Sequence, residues 1–129
     1  MIKEFKDTPF EKYEQTVLIE GEFFKVYPDM WPACDGHVLF VPKQNTPEFI
    51  TRTLGEAILY GDKLVEEGTI DGYHFGMNMG VAAGQTVMWP HVHLIPRTEG
   101  DLGRYENGAP YDPTGGVRNV IPEKGNYKK

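Results

Sequence analysis

A chain of 129 residues, 40% hydrophobic and 25% charged, is long enough to bury a core and is expected to form a single domain over residues 1–129. The formal net charge of −6 argues against a nucleic-acid backbone or an anionic membrane as partner. There is no run of about 18 apolar residues, no signal-peptide core at the N-terminus, and only one cysteine, Cys34. We therefore expect a cytoplasmic protein.

The elements predicted along the chain alternate short apolar runs with one long amphipathic segment. Residues 1–15 mix charges and aromatic residues without a clean period, so we expect a loosely packed lead-in. Thr46-Pro47-Glu48 is expected to open a helical region. Within it, the pattern Thr53-x-x-Glu56, followed by apolar residues at helical spacing, predicts a main helix that starts near Leu54 and ends at Gly68. The predicted strands are Thr16–Glu20, Phe23–Tyr27, His37–Val41, Tyr73–Met79 and Val87–Arg97.

This order of elements is three strands, a helix, two strands and a tail from Thr98 to Lys129 that is rich in Gly, Pro, Asp and Asn. It indicates an α+β domain with a mainly antiparallel sheet and an irregular end. The connection between the last two strands is short enough for an antiparallel pair.

The segment Val87–Arg97 carries half of the four histidines in the protein. If it is a strand, alternation places an apolar set on one face and two imidazoles, an indole and a guanidinium on the other. The polar face would hold Trp89, His91, His93, Ile95 and Arg97, and the apolar face Met88, Pro90, Val92, Leu94 and Pro96. We take the polar face as the candidate active site.

Two chemistries are open to the imidazole pair of His91 and His93. One is metal ligation completed by His37 or an aspartate; the other is nucleophilic and acid–base chemistry near pH 7. Spacing alone leaves both open. Because no acidic residue is obviously placed to complete a metal shell, we predict no metal.

A turn of Gly84, Gln85 and Thr86 comes just before the predicted histidine strand. Its backbone N–H groups and the Thr86 hydroxyl could hold phosphate oxygens. Gln85 could orient a reacting group. Beside the histidines, the turn favours a phosphate-containing ligand.

The motif Gly84-Gln85-Thr86-Val87-x-Trp89-x-His91-x-His93-Leu94-Ile95-Pro96-Arg97, with Gly36-His37-Val38-Leu39 upstream, resembles the histidine triad (HIT) family of nucleotide hydrolases and transferases, bacterial type. Asp29, eight residues before His37, stands where the family has a ribose-binding Asp or Asn. Asn78, seven residues before Gln85, stands where the family has an Asn near the phosphate. The segment 115–122 is similar to the end of bacterial members.

The resemblance implies a HIT-like fold, with about five antiparallel strands, one main helix and a short second helix, usually as a homodimer. It implies reaction at the α-phosphate of a nucleoside phosphate conjugate, such as a dinucleoside polyphosphate or an AMP conjugate, with a purine preference and no cofactor. His91 would be the nucleophile that forms a covalent nucleotidyl-histidine. The other catalytic residues implied are His93, Gln85 and His37, and the substrate-binding residues are Asp29, Asn78, Gly84, Thr86 and Trp89.

One position departs from the family motif, because Trp89 replaces the first of its three alternating histidines. An indole donates one hydrogen bond but cannot shuttle a proton. Turnover could be slower or more selective for the leaving group, or Trp89 could stack on the substrate. We expect a working but altered enzyme; the alternative is a non-catalytic or weakly active module that binds a purine nucleotide.

Overall fold

Residues 2–13 and 15–128 are described by a computed structural model of the chain. They form two units, Met1–Pro96 and Arg97–Lys129, and the single domain over residues 1–129 stays a prediction. Within the described ranges, no helix is long and apolar enough to cross a membrane.

The first unit is built on an antiparallel sheet of five strands, which confirms the predicted α+β class and strand number. Two-residue β1 pairs with β2, β2 with β3, and β3 with β5, so the strand order is β1–β2–β3–β5–β4. The strands are β1 (Ile19–Glu20), β2 (Phe24–Pro28), β3 (Val38–Pro42), β4 (Gly72–Gly76) and β5 (Val92–Arg97).

Both faces of the sheet are covered, and every residue of β3 is therefore buried. The paired residues Val26, Phe40 and Val92 belong to a core cluster that includes Ala57 of the main helix. Alternation sends the neighbouring residues to the opposite face, where a second apolar cluster lies. Its buried members are Phe10, Tyr27, Leu39, Val41 and Trp89.

The main helix, α2, spans Pro47–Glu66 and starts earlier than the predicted Leu54. The side chain of Thr46 caps it by accepting a hydrogen bond from the Phe49 amide, and Pro47 occupies the first turn. Thr53 is not a cap: it is buried inside the helix, and its hydroxyl donates to the Phe49 carbonyl. The helical region expected to open at Thr46-Pro47-Glu48 is thus the first turn of the main helix itself, and the predicted start near Leu54 was wrong.

The N-terminal segment is not a loose lead-in, and that prediction was wrong. A 3₁₀ turn at Phe5–Asp7 leads into a short second helix, α1 (Pro9–Lys12). Thr8 is fully buried and Phe10 nearly so. The Phe10 ring stacks at 5.6 Å on that of Tyr27, so the segment covers the second face of the sheet.

Strand β5 begins at Val92, not at Val87 as predicted, because its pairing with β3 runs only over Val92–Leu94. The predicted alternation holds within β5, where Val92, Leu94 and Pro96 are buried and the residues between them half-buried. It fails before Val92: Met88 is exposed, whereas Trp89 is 1% exposed.

The second unit is mostly irregular, as expected for the tail. It contains an isolated bridge between Arg104 and Pro110 and a 3₁₀ turn at Gly116–Val120. Two nitrogens of the Arg97 guanidinium donate to the Asp101 carboxylate at 2.7 Å. These bonds lower the pKa of Asp101 to about 2.

Candidate active site

Strand pairing brings three predicted site residues to one end of the sheet. The Asp29 amide donates to the His37 carbonyl at 3.0 Å, which continues the β2–β3 pairing by one step beyond the strand ends. By alternation Asp29 shares a face with Tyr27, and His37 shares one with Leu39. His93 pairs directly with Leu39, so all three side chains lie on the face opposite α2.

The three side chains contact one another. His37 Nε2 lies 2.9 Å from His93 Nδ1. Asp29 Oδ2 lies 3.3 Å from His37 Nε2 and 3.7 Å from His93 Nδ1, while Asp29 Oδ1 accepts a bond from the Trp31 amide. The carboxylate therefore faces both imidazoles from a turn that fixes its orientation.

The backbone determines the tautomers of these rings. The Ala33 amide donates to His37 Nδ1 at 2.9 Å, so in neutral His37 the proton is on Nε2. His37 Nε2–H must then donate to His93 Nδ1, which leaves the His93 proton on Nε2. Burial lowers the pKa of both imidazoles, although Asp29 opposes the shift, and His91 and His37 lower the pKa of His93 further. The pair is therefore a relay of neutral rings.

The same cluster bears on the choice between metal ligation and acid–base chemistry, and the absence of a metal stays a prediction. The potential ligand atoms of Asp29, His37 and His93 lie within 4.8 Å of one another, so an acidic residue is in fact placed beside the imidazoles. A metal on His37 Nε2 would have to displace its proton while Nδ1 still accepts from the Ala33 amide, which would require an imidazolate. Metal-bound histidines usually donate from the other nitrogen. The donor set thus fits a hydrogen-bonded relay better than a metal site.

His91 lies next to this relay in the loop before β5. Its Nδ1 lies 2.7 Å from the Trp89 carbonyl, which can only accept, so Nδ1 carries the proton and Nε2 keeps a lone pair. The ring centroid is 5.4 Å from that of His93 and 5.6 Å from that of Phe10. A lone pair on Nε2 suits nucleophilic attack.

A cavity of about 550 Å³ opens over these rings. Trp31 and Tyr13, both exposed, stand on its lining together with Phe10. Seven of the nine predicted site residues also line it: Asp29, His37, Asn78, Gly84, Thr86, His91 and His93.

The other two predicted site residues, Gln85 and Trp89, do not line the cavity. The Gln85 side chain is bonded within its own loop: Oε1 accepts from the Gly80 amide at 2.8 Å, and Nε2 donates to the Val87 carbonyl at 3.1 Å. Trp89 is buried in the second cluster, and its Nε1–H donates to the Pro42 carbonyl at 2.9 Å. The expectation that Trp89 binds or stacks on the substrate was therefore wrong: its side chain belongs to the core.

Two contributors to the site were not predicted from the sequence: Phe10, which contacts His91, and the Ala33 amide, which orients His37. The first could have been found, since Thr8-Pro9 is a helix-start signal that places Phe10 on a helix. The second is a backbone contact that no residue pattern specifies.

Residues 11–100 match the HIT domain family, and the chain belongs to this family. Among curated relatives, adenosine 5′-monophosphoramidase HNT1 of Saccharomyces cerevisiae is 30% identical over 93 residues, 67% of this chain and 56% of that protein. Adenylylsulfatase HINT3 of Arabidopsis thaliana is 30% identical over 91 residues, 65% of this chain and 46% of that protein. The chain thus spans about half the length of these two relatives.

A solved structure gives the same fold. The HIT family hydrolase of Clostridium thermocellum is 30% identical to this chain and superposes with a TM-score of 0.57. The match covers 79% of this chain and 93% of the other. The similarity therefore extends over nearly the whole of the solved chain.

Proposed function

We propose that this chain is a nucleotide hydrolase or nucleotidyl transferase that attacks the α-phosphorus of a nucleoside phosphate conjugate through His91. One observation carries the proposal: the bond from His91 Nδ1 to the Trp89 carbonyl leaves a lone pair on Nε2 of a ring that lines the cavity. The named activities of the two relatives, one a phosphoramidase and one a sulfatase of adenylyl compounds, support the substrate class.

The proposed reaction has two steps. In the first, the Nε2 lone pair of His91 forms a bond to phosphorus, the bond from phosphorus to the leaving atom breaks, and the leaving atom takes the electron pair. A leaving nitrogen also takes a proton from solvent, so that it departs as ammonia or an amine. In the second, water attacks phosphorus and the N–P bond breaks. The imidazole recovers its lone pair and the water proton passes to solvent, whereas a transferase would use another acceptor in place of water.

The neighbouring groups supply position and charge compensation, which phosphoryl chemistry needs most. His93 Nε2–H, fixed by the relay from His37, is a neutral donor for a phosphate oxygen. Gly84, Thr86 and Asn78 stand on the same cavity lining and supply backbone and side-chain donors.

The ribose-binding role expected for Asp29 remains a prediction. Its Oδ1 is bonded to the Trp31 amide and its Oδ2 faces the imidazoles of His37 and His93. A ribose hydroxyl would therefore bind to a remaining lone pair of a carboxylate that is already in use. The purine preference likewise rests on the resemblance, supported by the adenylyl names of the relatives.

We also propose a homodimer. Strand β4 lies at the edge of the sheet, and its Phe75 is partly exposed, as is Leu59 of α2. An unpaired edge strand beside apolar side chains is a surface that a second copy can cover. Sedimentation equilibrium tests this proposal over protein concentrations that rise to on the order of 100 μM, well above those of an activity assay. A monomer at every concentration would contradict it.

The test of the reaction is detection of the covalent intermediate. Adenosine 5′-phosphoramidate or a diadenosine polyphosphate is mixed with the protein, quenched at millisecond times in alkali, where the N–P bond persists, and the intact mass is measured. We expect an added adenylyl group in wild type and in His74→Ala, a histidine outside the cavity, and none in His91→Ala. Equal adduct in wild type and His91→Ala would refute the proposal.

The alternative, a non-catalytic nucleotide-binding module, is favoured by one observation. The side chain of Gln85, expected near the scissile bond, is tied into its own loop. The alternative predicts binding of AMP in calorimetry with no turnover of any conjugate in a panel. Weak turnover that is lost in His91→Ala would reject it.

A further inference from the structure

The N-terminal segment covers the face of the sheet that carries the imidazoles. Its helix α1 has only four residues, Pro9–Lys12, and a helix of this length is not stable by itself in water. Tertiary contacts must therefore hold it. Phe10 is 5% exposed, and its position lies just before the range that matches the HIT family.

Glu11 attaches α1 to strand β2. Its Oε1 lies 2.9 Å from Lys25 Nζ, and its Oε2 accepts a hydrogen bond from the Tyr27 hydroxyl. The Lys25 and Glu11 side chains are half-buried, so solvent screens this pair less than a fully exposed ion pair. We call these three residues, Glu11, Lys25 and Tyr27, the clamp.

The clamp places Phe10 between two rings. On one side Phe10 stacks on Tyr27 with the planes 28° apart, and on the other it meets His91 at 5.6 Å with the planes 56° apart. The ring centroid of His93 lies 5.4 Å from that of His91. The reactive ring is thus in contact with Phe10 and with the relay.

These ring contacts restrict the orientation of the His91 imidazole, which its hydrogen bond fixes only in part. Among the residues that the structure describes, the Trp89 carbonyl is the one hydrogen-bond partner of His91; it fixes the proton on Nδ1 and leaves the tilt of the ring about that bond to packing. In-line attack needs the lone pair aimed at phosphorus, and a displacement of about 1 Å costs up to 100-fold in rate. A flat apolar neighbour limits the tilt without competing for the lone pair.

We propose that Phe10 is a positioning residue for His91 and that the clamp holds Phe10 in place. The inference rests on the proposed function for its kinetic consequence, but not for its structural one. Phe10 acts through His91: it keeps Nε2 directed into the cavity and keeps Nδ1–H on the Trp89 carbonyl.

The kinetic test compares Phe10→Ala and Phe10→Leu with Lys12→Ala, an exposed residue of the same helix. Single-turnover formation of the adenylyl adduct should fall 10- to 100-fold in Phe10→Ala, with KM within 3-fold of wild type, following the cost of a misplaced nucleophile of about 1 Å. Phe10→Leu, which keeps most of the bulk, should recover to within about 3-fold, and Lys12→Ala should match wild type. A rise in KM alone would instead make Phe10 a substrate contact and overturn the inference.

The structural test does not need a substrate. Long-range ¹H–¹⁵N NMR spectra report the tautomer of each histidine. In wild type His91 should be in the single Nδ1–H form, and in Phe10→Ala its two ring nitrogens should move toward averaged shifts. If wild type forms no adduct, the proposed reaction fails, and this spectrum still decides the positioning role.

Glu11→Ala provides a second route if Phe10→Ala does not fold. This substitution removes the clamp and leaves Phe10 in the chain. We expect the rate of adduct formation and the His91 tautomer to change in the same direction as in Phe10→Ala. The logarithm of the fold-change in rate should be about half as large, since Phe10 keeps its contact with Tyr27. Glu11→Gln, which can still accept from Tyr27, should lie closer to wild type. A fixed His91 tautomer in both Phe10→Ala and Glu11→Ala, or in the one that folds, would overturn the inference.

Discussion

His37 Nε2 and His93 Nδ1 are 2.9 Å apart, and the Ala33 amide on His37 Nδ1 makes His37 the donor of this bond. A backbone N–H thus sets the proton position on a ring two hydrogen bonds away. The position of the His93 proton on Nε2 therefore follows from the fold of the loop before β3.

His37→Ala tests this relay. Without the donor, His93 Nδ1 can carry the proton itself, so we expect mixed His93 tautomers in ¹H–¹⁵N spectra and a loss of about 10- to 100-fold in turnover. His74→Ala is the matched control and should leave both unchanged. A single His93 tautomer in His37→Ala would mean that another group holds the ring.

The same two imidazoles make stability depend on pH. Burial lowers the pKa of His37 and of His93, so the unfolded chain binds more protons than the folded one below the ordinary histidine pKa of about 6.5. The free energy of unfolding should therefore be level above that pH and decrease as pH falls through the lowered values.

Urea titrations at several pH values between 7.5 and 5 measure this effect. The decrease should be smaller in His37→Gln and in His93→Gln, each of which removes one protonation, than in His74→Ala. If the free energy of unfolding falls with pH by the same slope in wild type and in all three variants, the cluster is not its source.

Trp89→His returns an imidazole to the first triad position, but we expect no gain in activity, because this position is buried among apolar side chains. The substitution leaves a cavity and removes the donor to the Pro42 carbonyl, which should cost about 2–4 kcal/mol. Trp89→Phe, which keeps an aromatic ring, should cost less. Chemical denaturation and a substrate panel check both, and faster turnover in Trp89→His would contradict the buried role.

Two glycines of α2 should respond oppositely to alanine. A Cβ on Gly61 would lie 2.6 Å from the Tyr73 ring, whose hydroxyl is held by Asp62, so Gly61→Ala should destabilise by about 1–3 kcal/mol. A Cβ on Gly55 meets nothing within 4 Å, so Gly55→Ala should stabilise by about 0.5–1 kcal/mol through helix propensity. Thermal melts of the pair decide this, and a stabilised Gly61→Ala would mean that the ring moves away.

The sequence predicted those parts of the fold that depend on a regular period. The alternation of buried and half-buried residues over Val92–Arg97 follows from a period of two, and α2 follows from helical spacing. Strand β3 was predicted instead from a short apolar run, and β2 from the hairpin around Gly21. The boundaries were less accurate where a Thr-Pro pair, as at Thr46, marked the true start.

The candidate site was predicted in composition but not in its contacts. Seven of nine residues share the cavity lining, because the pairing of β2, β3 and β5 brings distant motif positions together. Trp89 could not be placed, because the chain before Val92 leaves the strand and its alternation stops. Phe10 was missed because a four-residue helix carries no period, and the Thr8-Pro9 start signal was not used.

The position of Phe10 also bears on the choice of expression fragment. A fragment trimmed to the family range, residues 11–100, would retain every histidine of the motif yet discard Phe5 and Phe10. Such a fragment would expose Tyr27 and Trp89, which the two rings now cover, and this exposed apolar surface would favour aggregation. Such a fragment would look complete by sequence matching and still be a poor representative of the working protein.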